Sequence, residues 1–430
     1  FIGSFIVFMI KKKIGIIGIG YVGLPLAVAF ARKYDVIAFD LKKNRINDLK
    51  KNKDINNDIS VNKLKKAKKL FFTSETKNLS TCNIYIVTVP TPINKKNIPD
   101  LSILKSACKL VAQFLKRNDI VIFESTVYPG VTEEICIPIL ENKSKLLLNK
   151  SFLCGYSPER INPNDKKHTI EKIKKVTSGS NKKAAKIIDD LYSSIIQAGT
   201  YKAPSIKVAE AAKVIENAQR DINIAFMNEL SLIFDKLDLN TNHVLKAAST
   251  KWNFLNFEPG LVGGHCIGVD PFYLTYKSIL EGYRPKIILS GRKVNDDMPV
   301  HIFKKSFNRT KNKFKDKKKL KFLILGATFK EDCYDLRNSK SLVIRDVFIK
   351  NNINVDIYDP LINKIKIDNE YSFLRKSKPN KNCYHCVIIA VKHKEFKKWG
   401  EKTINSFLVK GGLIFDIKNV LPFKNTYIYL

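Results

Sequence analysis

The chain has no apolar run approaching the ~18 residues that a membrane-spanning helix requires. Cysteine is sparse and scattered; eight in 430 residues make no disulfide scaffold and fit a reducing interior. Acidic residues are in deficit, with 40 Asp and Glu against 76 Lys and Arg and a net charge of +36. Such an excess suits nucleic acid, because clustered cations displace counterions from phosphate backbones. Arginine is scarce as well: eleven of the 76 basic residues are Arg, so the planar fork that reads base edges and phosphates is rare. Lysine is spread through runs such as Lys11 to Lys13, Lys63 to Lys69 and Lys315 to Lys321, among Asn and Ile. A solvated surface with a general pull on anions is therefore preferred to a specific nucleic-acid face. Hydrophobic residues at 44% and charged residues at 27% exclude wholesale disorder, and the length suits two or three domains.

The first ten residues are apolar but lack a preceding basic region and a small-residue cleavage site. Met9 stands just before the first strong strand, so residues 1–8 are expected to be an upstream extension, and the protein to be soluble and cytoplasmic. Lys13 to Ile17, Val36 to Phe39, Ile84 to Val89 and Asp119 to Phe123 are short apolar runs, with helical spacing at Leu24 to Ala31 and Leu101 to Leu115. Strands alternating with helices predict a parallel, doubly wound α/β sheet, and continuous apolar strands fit burial on both faces. From Ile206 to about Leu237 apolar residues recur at three- and four-residue steps with no Gly or Pro, predicting one long helix and a dimer surface. After the polar stretch Asn308 to Lys319 a second alternating series opens: Leu320 to Leu325, Asn338 to Ile349, Val355 to Tyr358, Val387 to Val391 and Leu413 to Asp416. The expected blocks are a dinucleotide-binding domain over 9–203, a central helical domain over 204–306 and a C-terminal α/β domain over 318–430.

Gly18-Ile19-Gly20-Tyr21-Val22-Gly23 follows a strand and opens a helix, the pattern that lets backbone approach a pyrophosphate at a helix N-terminus. The next strand ends at Asp40, placed to bind ribose hydroxyls and to favour NAD over NADP; Arg45 slightly tempers that preference. In Phe257 to Pro271, four glycines surround His265 and Cys266, as in a loop shaped for close approach to a ligand. Cys266 there is either an activated nucleophile or a small packed side chain. A metal site is not expected, since His265 and Cys266 are adjacent with no matching ligand pair. Cys383-Tyr384-His385-Cys386 has no second CxxC and runs into a strand, so packing is preferred to zinc or redox chemistry. On the long helix Glu210, Lys213, Glu216, Asn217 and Arg220 share related faces, as a solvated ladder of ion pairs or, for Lys213 and Asn217, as an amine and amide lining a cleft.

Taken together, these residues resemble the UDP-glucose/GDP-mannose dehydrogenase family over nearly the whole chain from Lys11 onward. The motifs are Gly18 to Gly23, Thr88-Val89-Pro90-Thr91-Pro92, Glu124 to Gly130, Ser157-Pro158-Glu159-Arg160, Ala209-Glu210-Ala211-Ala212-Lys213, the glycine–cysteine loop, and Gly326 to Lys330 through Asp335 to Ser339. The resemblance implies an NAD-binding N-terminal domain, a dimerising central helix and a C-terminal domain holding UDP. In the family a sugar C6 alcohol is oxidised by NAD to an aldehyde and captured by a cysteine thiolate, matching Cys266. A second oxidation then gives a thioester that water releases as the carboxylate, for surface-polysaccharide precursors.

By the same match, Lys213 and Asn217 stabilise the oxyanion, Asp270 and Glu159 handle water and protons, and Thr126 positions a water. Gly18, Gly20, Tyr21, Val22, Gly23, Asp40, Arg45, Thr91, Thr126 and Arg337 match NAD contacts. Glu159, Arg160, Lys213, Lys330, Phe257, Gly260 and Gly263 match nucleotide-sugar contacts, with Arg292 as a pyrophosphate or sugar contact. Two departures from the UDP-glucose branch are Val269, where that branch has Lys, and Pro163, where it has a second Glu. The text from Trp252 to Tyr273, and Gln219 to Asn223 with Arg220 and Asn223 toward the sugar, resembles instead the bacterial branch that oxidises UDP-N-acetylhexosamines. The implied substrate is UDP-N-acetylglucosamine or UDP-N-acetylgalactosamine; UDP-glucose and UDP-N-acetylmannosamine are the near alternatives, and a Lys-rich nucleic-acid-binding protein on this fold the remote one.

Overall fold

Eight segments of the N-terminal half pair into one sheet, in a computed structural model that describes residues 12–430 apart from 56–57, 95, 162–166, 315, 317–318, 363–370, 376 and 425. The strands are β1 (Lys13–Ile17), β2 (Asp35–Phe39), β3 (Leu70–Thr73), β4 (Ile84–Val87), β5 (Ile120–Phe123), β6 (Leu153–Tyr156), β7 (Lys175–Gly179) and β8 (Thr200–Lys202). Their order is β3-β2-β1-β4-β5-β6-β7-β8. All neighbours are parallel except β6 and β7, where Tyr156 pairs with Ser178 and Gly155 with Gly179. The expected parallel sheet is present, with the reversal of its last two strands, β7 and β8, unforeseen. Register aligns the carboxyl ends: Ile17 lies beside Phe39 and Val87, Val87 beside Phe123, and Phe123 beside Tyr156. The residues that follow those strands (Gly18, Asp40, Thr88, Glu124 and Ser157) are thereby brought to one edge of the sheet, where open α/β sheets bind ligands. The chain order reverses between β1 and β4, which opens the crevice there. Ile14, Ile16, Val36, Ala38, Ile84, Ile86, Ile120 and Ile122 form the core with the wholly buried helix Gly23–Phe30.

The chain divides into two compact units, one running to Ile215 and including Phe272–Lys277, the other comprising Glu216–Pro271 and Ser278–Leu430. In the second unit β9 (Lys321–Leu325), β10 (Asn354–Tyr358), β11 (Tyr384–Ile389) and β12 (Leu408–Asp416) form a parallel sheet in the order β10-β9-β11-β12. Met298, Ile302, Phe322, Ile324, Phe348 and Ile388 pack beneath it. The long helix is Ile206–Lys236, 31 residues, close to the span expected from its periodicity.

Helix Lys286–Lys313 runs 28 residues, through Pro299, and takes in the start of the polar stretch Asn308 to Lys319. Its inner face explains this. Arg292, Asn295, Met298, Ile302, Phe303, Ser306 and Thr310 are buried at helical spacing, several of them polar, so hydrophobic periodicity alone underestimates it. Among the described residues, no helix is long and apolar enough to cross a membrane, and no group of His, Cys, Asp and Glu could hold a metal ion. Residues 1–8 and Pro163 lie outside the described residues.

Candidate active site

In the first unit the glycine turn is built as an anion cradle. The Gly18 N–H donates to the Phe39 carbonyl, and the Thr88 hydroxyl donates to the Gly18 carbonyl at 2.6 Å. A Cβ at Gly23 would sit 2.0 Å from the Gly18 carbonyl oxygen, so helix and turn can approach this closely only with glycine there. Helix Gly23–Phe30 has no side-chain cap and no acidic residue in its first turn, which leaves its N-terminal dipole to an anion. Asp40 accepts from the Ile19 N–H at 2.8 Å and from the Lys42 N–H at 2.9 Å, fixing its carboxylate beside the turn. Arg45 donates to the Ile19 carbonyl at 3.2 Å and pairs with buried Asp54 at 2.6 Å, so it braces the same turn. These residues fit a dinucleotide: phosphates on the helix start and ribose on Asp40.

Further along the same edge, the Thr91 hydroxyl donates to the Thr126 carbonyl at 2.6 Å, and the buried Tyr273 hydroxyl donates to the Thr91 carbonyl. Glu159, buried just past β6, accepts from the backbone N–H groups of Arg160 and Ile161, each at 2.5 Å. The Arg160 guanidinium donates to the Lys174 carbonyl at 2.9 Å. Glu210 was read as one rung of a solvated ladder, and the structure places it elsewhere. It is fully buried and accepts from Gly130 at 2.6 Å and Thr132 at 2.9 Å, tying the loop after β5 to the long helix. Burial pushes its carboxyl up to about 7. Lys213, one turn on from it, is buried as well.

In the second unit three anchors shape the cysteine loop. Asn228 makes a reciprocal pair with Gly260, donating to its carbonyl at 3.0 Å and accepting its N–H at 2.7 Å. Gly264, at φ +81°, lies against Phe329, where a Cβ would come within 2.6 Å of the ring. The Asn338 side chain donates to the Gly264 carbonyl at 3.2 Å. The Cys266 carbonyl accepts from the Val269 N–H at 3.0 Å and the Asp270 N–H at 2.8 Å, opening helix Asp270–Leu280. Asn217 donates to the Asp270 carboxylate at 2.5 Å, so two of the expected catalytic residues meet directly. Cys266 is half-buried, whereas Cys82, Cys108, Cys136, Cys154, Cys333 and Cys386 are buried. Burial pushes Cys82 and Cys386 each up to about 12, which makes them inert packing thiols. Of the CxxC pair, Cys386 lies inside β11 and Cys383 stands half-buried before it.

The other expected site residues are held as follows. Arg292 is buried and gives its two terminal nitrogens to Asp221 at 2.6 Å and Asp296 at 2.5 Å. It is a clamp between helices, with a carboxylate on each of its two terminal nitrogens. Arg337 folds back on Asp335 through three hydrogen bonds of 2.6–3.1 Å. Asn223 donates to the Gln219 carbonyl of its own helix, while Arg220 is exposed there. Lys330 lies 5.9 Å from the Phe329 ring centroid, within the loop that receives Gly264.

Three domain models of one family match in chain order. The NAD-binding domain matches residues 12–196, the central domain 207–297 and the UDP-binding domain 323–423. The chain belongs to the UDP-glucose/GDP-mannose dehydrogenase family. It is similar to a UDP-N-acetyl-D-glucosamine 6-dehydrogenase of Salmonella typhi, at 49% identity covering 98% of this chain and 99% of that one. A Pseudomonas aeruginosa protein of the same name is 48% identical, covering 95% and 97%. Among solved structures, the UDP-D-ManNAc dehydrogenase of Pyrococcus horikoshii aligns at a TM-score of 0.84 and 28% identity, over 97% of this chain and 98% of that one. As a family member the chain is an NAD-dependent nucleotide-sugar dehydrogenase, an oxidoreductase. Sequence reasoning missed Lys175, Tyr192, Asn228 and Asn295, polar residues that only burial distinguishes from the surface.

Proposed function

We propose that this dehydrogenase oxidises the C6 alcohol of a UDP-N-acetylhexosamine to the carboxylate in two steps, for surface-polysaccharide precursors. The observation that supports this most is the 48–49% identity, over 95–98% of the chain, to two UDP-N-acetyl-D-glucosamine 6-dehydrogenases. Bound NAD supplies the hydride acceptor in each oxidation. Gly18, Gly20, Tyr21, Val22, Gly23 and Asp40 hold it, with Arg45 bracing the turn and Thr91, Thr126 and Arg337 as further contacts. Glu159 accepts the alcohol proton in the first oxidation, giving the aldehyde. The Cys266 sulfur then bonds to the C6 carbon, and the carbonyl oxygen takes a proton to complete a thiohemiacetal. Lys213 and Asn217, one helical turn apart, stabilise negative charge on that oxygen. In the second oxidation C6 loses its hydride and the thiohemiacetal hydroxyl its proton to water, giving the thioester; water then adds to it, the C–S bond breaks, and the sulfur recovers a proton as the carboxylate leaves. Asp270, oriented by Asn217, serves that proton transfer. Arg160, Arg220, Asn223, Phe257, Gly260, Gly263 and Lys330 contact the nucleotide sugar.

A substrate panel tests this reading. NADH formation with UDP-N-acetylglucosamine or its galacto epimer is expected to exceed that with UDP-glucose by roughly tenfold or more in kcat/KM, because unfilled or clashing acetamido contacts cost a few kcal/mol. Faster turnover of UDP-glucose would overturn the substrate assignment.

The same reading includes a homodimer through the long helix. Val208, Ile215, Phe226 and Ile233 are about half exposed and recur at spacings of seven, eleven and seven, a stripe along one helix face. Phe226→Glu is expected to convert a dimer in sedimentation analysis to a monomer. A wild-type chain that is monomeric at micromolar concentration would contradict it. We place the enzyme in the cytoplasm, consistent with eight free cysteines.

A further inference from the structure

A fully buried lysine sits where the reversed strand begins. Because β7 runs antiparallel to β6, its first residue, Lys175, lies at the carboxyl end of β6 instead of the far edge. Its ammonium is 2.7 Å from Glu124, which follows β5, and 3.5 Å from Glu159, which follows β6. Tyr192, near the end of helix Lys182–Ser193, donates its hydroxyl to Glu124 and turns its ring toward the ammonium at 5.4 Å. All four residues are buried. One cation thus serves two carboxylates in a medium that penalises charge, an arrangement too costly to persist as surface decoration.

We propose that Lys175, steered by Glu124 and Tyr192, is a positioning residue for Glu159 that holds its carboxylate against a cation and turned for proton transfer. The inference rests on the reading of Glu159 as the proton acceptor. Glu159 Oε1 is fixed by two backbone N–H groups, so the second oxygen, Oε2, is the one beside Lys175 and the one left for a proton. Among the described residues of this unit the charged or titratable groups facing Glu159 are Glu124 from the end of β5, Lys175 from β7 and Tyr192 from the helix; adjacent Arg160 is turned to Lys174. Burial raises Glu124 to about 6, with Lys175 opposing and Glu159 adding to that rise, so the two carboxylates compete for the one cation.

This competition gives the test its signs. Removing the cation disfavours the ionised form of Glu159, and removing the rival carboxylate favours it. In the full-length enzyme, turnover of UDP-N-acetylglucosamine with NAD is measured across pH. Lys175→Met is expected to move the acid limb of kcat upward by about one unit or more, with both KM values within about threefold. Glu124→Gln is expected to move the same limb downward. Acid limbs unmoved in both variants would overturn the inference. Should Lys175→Met not fold, the Glu124→Gln limb decides alone: downward supports the inference, unmoved or upward overturns it. Glu159→Gln separates the two claims. Wild-type turnover in that variant removes the reading of Glu159 and the inference with it, whereas lost turnover with unmoved limbs in the other variants removes the inference alone.

Discussion

Cys266→Ser is expected to abolish carboxylate formation, by on the order of 10³-fold or more, while leaving NAD binding intact. The expectation follows from acidity. A thiol ionises near neutral pH when its surroundings favour the anion, and a serine hydroxyl does not, so no covalent capture of the aldehyde follows the first oxidation. Cys266 is suited to the task by its frame. Asn228, Phe329 and Asn338 pin the glycines that precede it, Gly260 and Gly264, and the Asp270 N–H fixes the Cys266 carbonyl at the mouth of a helix. The substitution removes one atom type from a half-buried position, so the fold should be unaffected. NAD binding measured by fluorescence titration checks that, with uronate measured by chromatography. Full two-step oxidation by the serine variant would show that the nucleophile lies elsewhere.

Lys213→Ala is expected to lower kcat by ~10²–10³-fold and to change the KM for the nucleotide sugar far less. An ammonium that meets charge only as the sugar oxygen becomes anionic contributes to the transition state more than to the bound substrate. Lys213 is buried on a helix whose preceding turn is anchored by Glu210 to the Gly130–Thr132 backbone, so the amine is held on a rigid element. Steady-state kinetics with saturating NAD checks the split. A large rise in KM at constant kcat would make Lys213 a binding group.

The residues announce some of this arrangement openly and hide the rest for physical reasons. Gly18, Gly20, Gly23 and Asp40 are legible because a phosphate turn needs specific residues at specific spacings, and the structure places Asp40 on the Ile19 N–H. The long helix is legible because 31 residues without Gly or Pro repeat one apolar period. Lys175 is illegible for the opposite reason. It is one lysine among 65 in a surface-rich composition, and only the antiparallel register of β7 carries it into the interior. Arg292 shows where the residue pattern stops: an arginine near a substrate loop looks like an anion contact, and only the structure reveals Asp221 and Asp296 on either side of it. The segment Asn308–Lys313 reads only as polar because its inward residues include Thr310, whose hydroxyl is satisfied by the Ser306 carbonyl and so can be buried without an apolar signature.

Covalent capture by Cys266 is the claim on which the proposed chemistry depends, and mass spectrometry of the enzyme during turnover tests it most directly. With UDP-N-acetylglucosamine and NAD present, rapid acid quench and proteolysis should yield a peptide containing Cys266 carrying the mass of the oxidised nucleotide sugar. The adduct should accumulate when thioester hydrolysis is slowed, and be missing when NAD is left out. NADH and uronate forming at full rate with that peptide unmodified throughout, or with the adduct on another cysteine, would contradict the account.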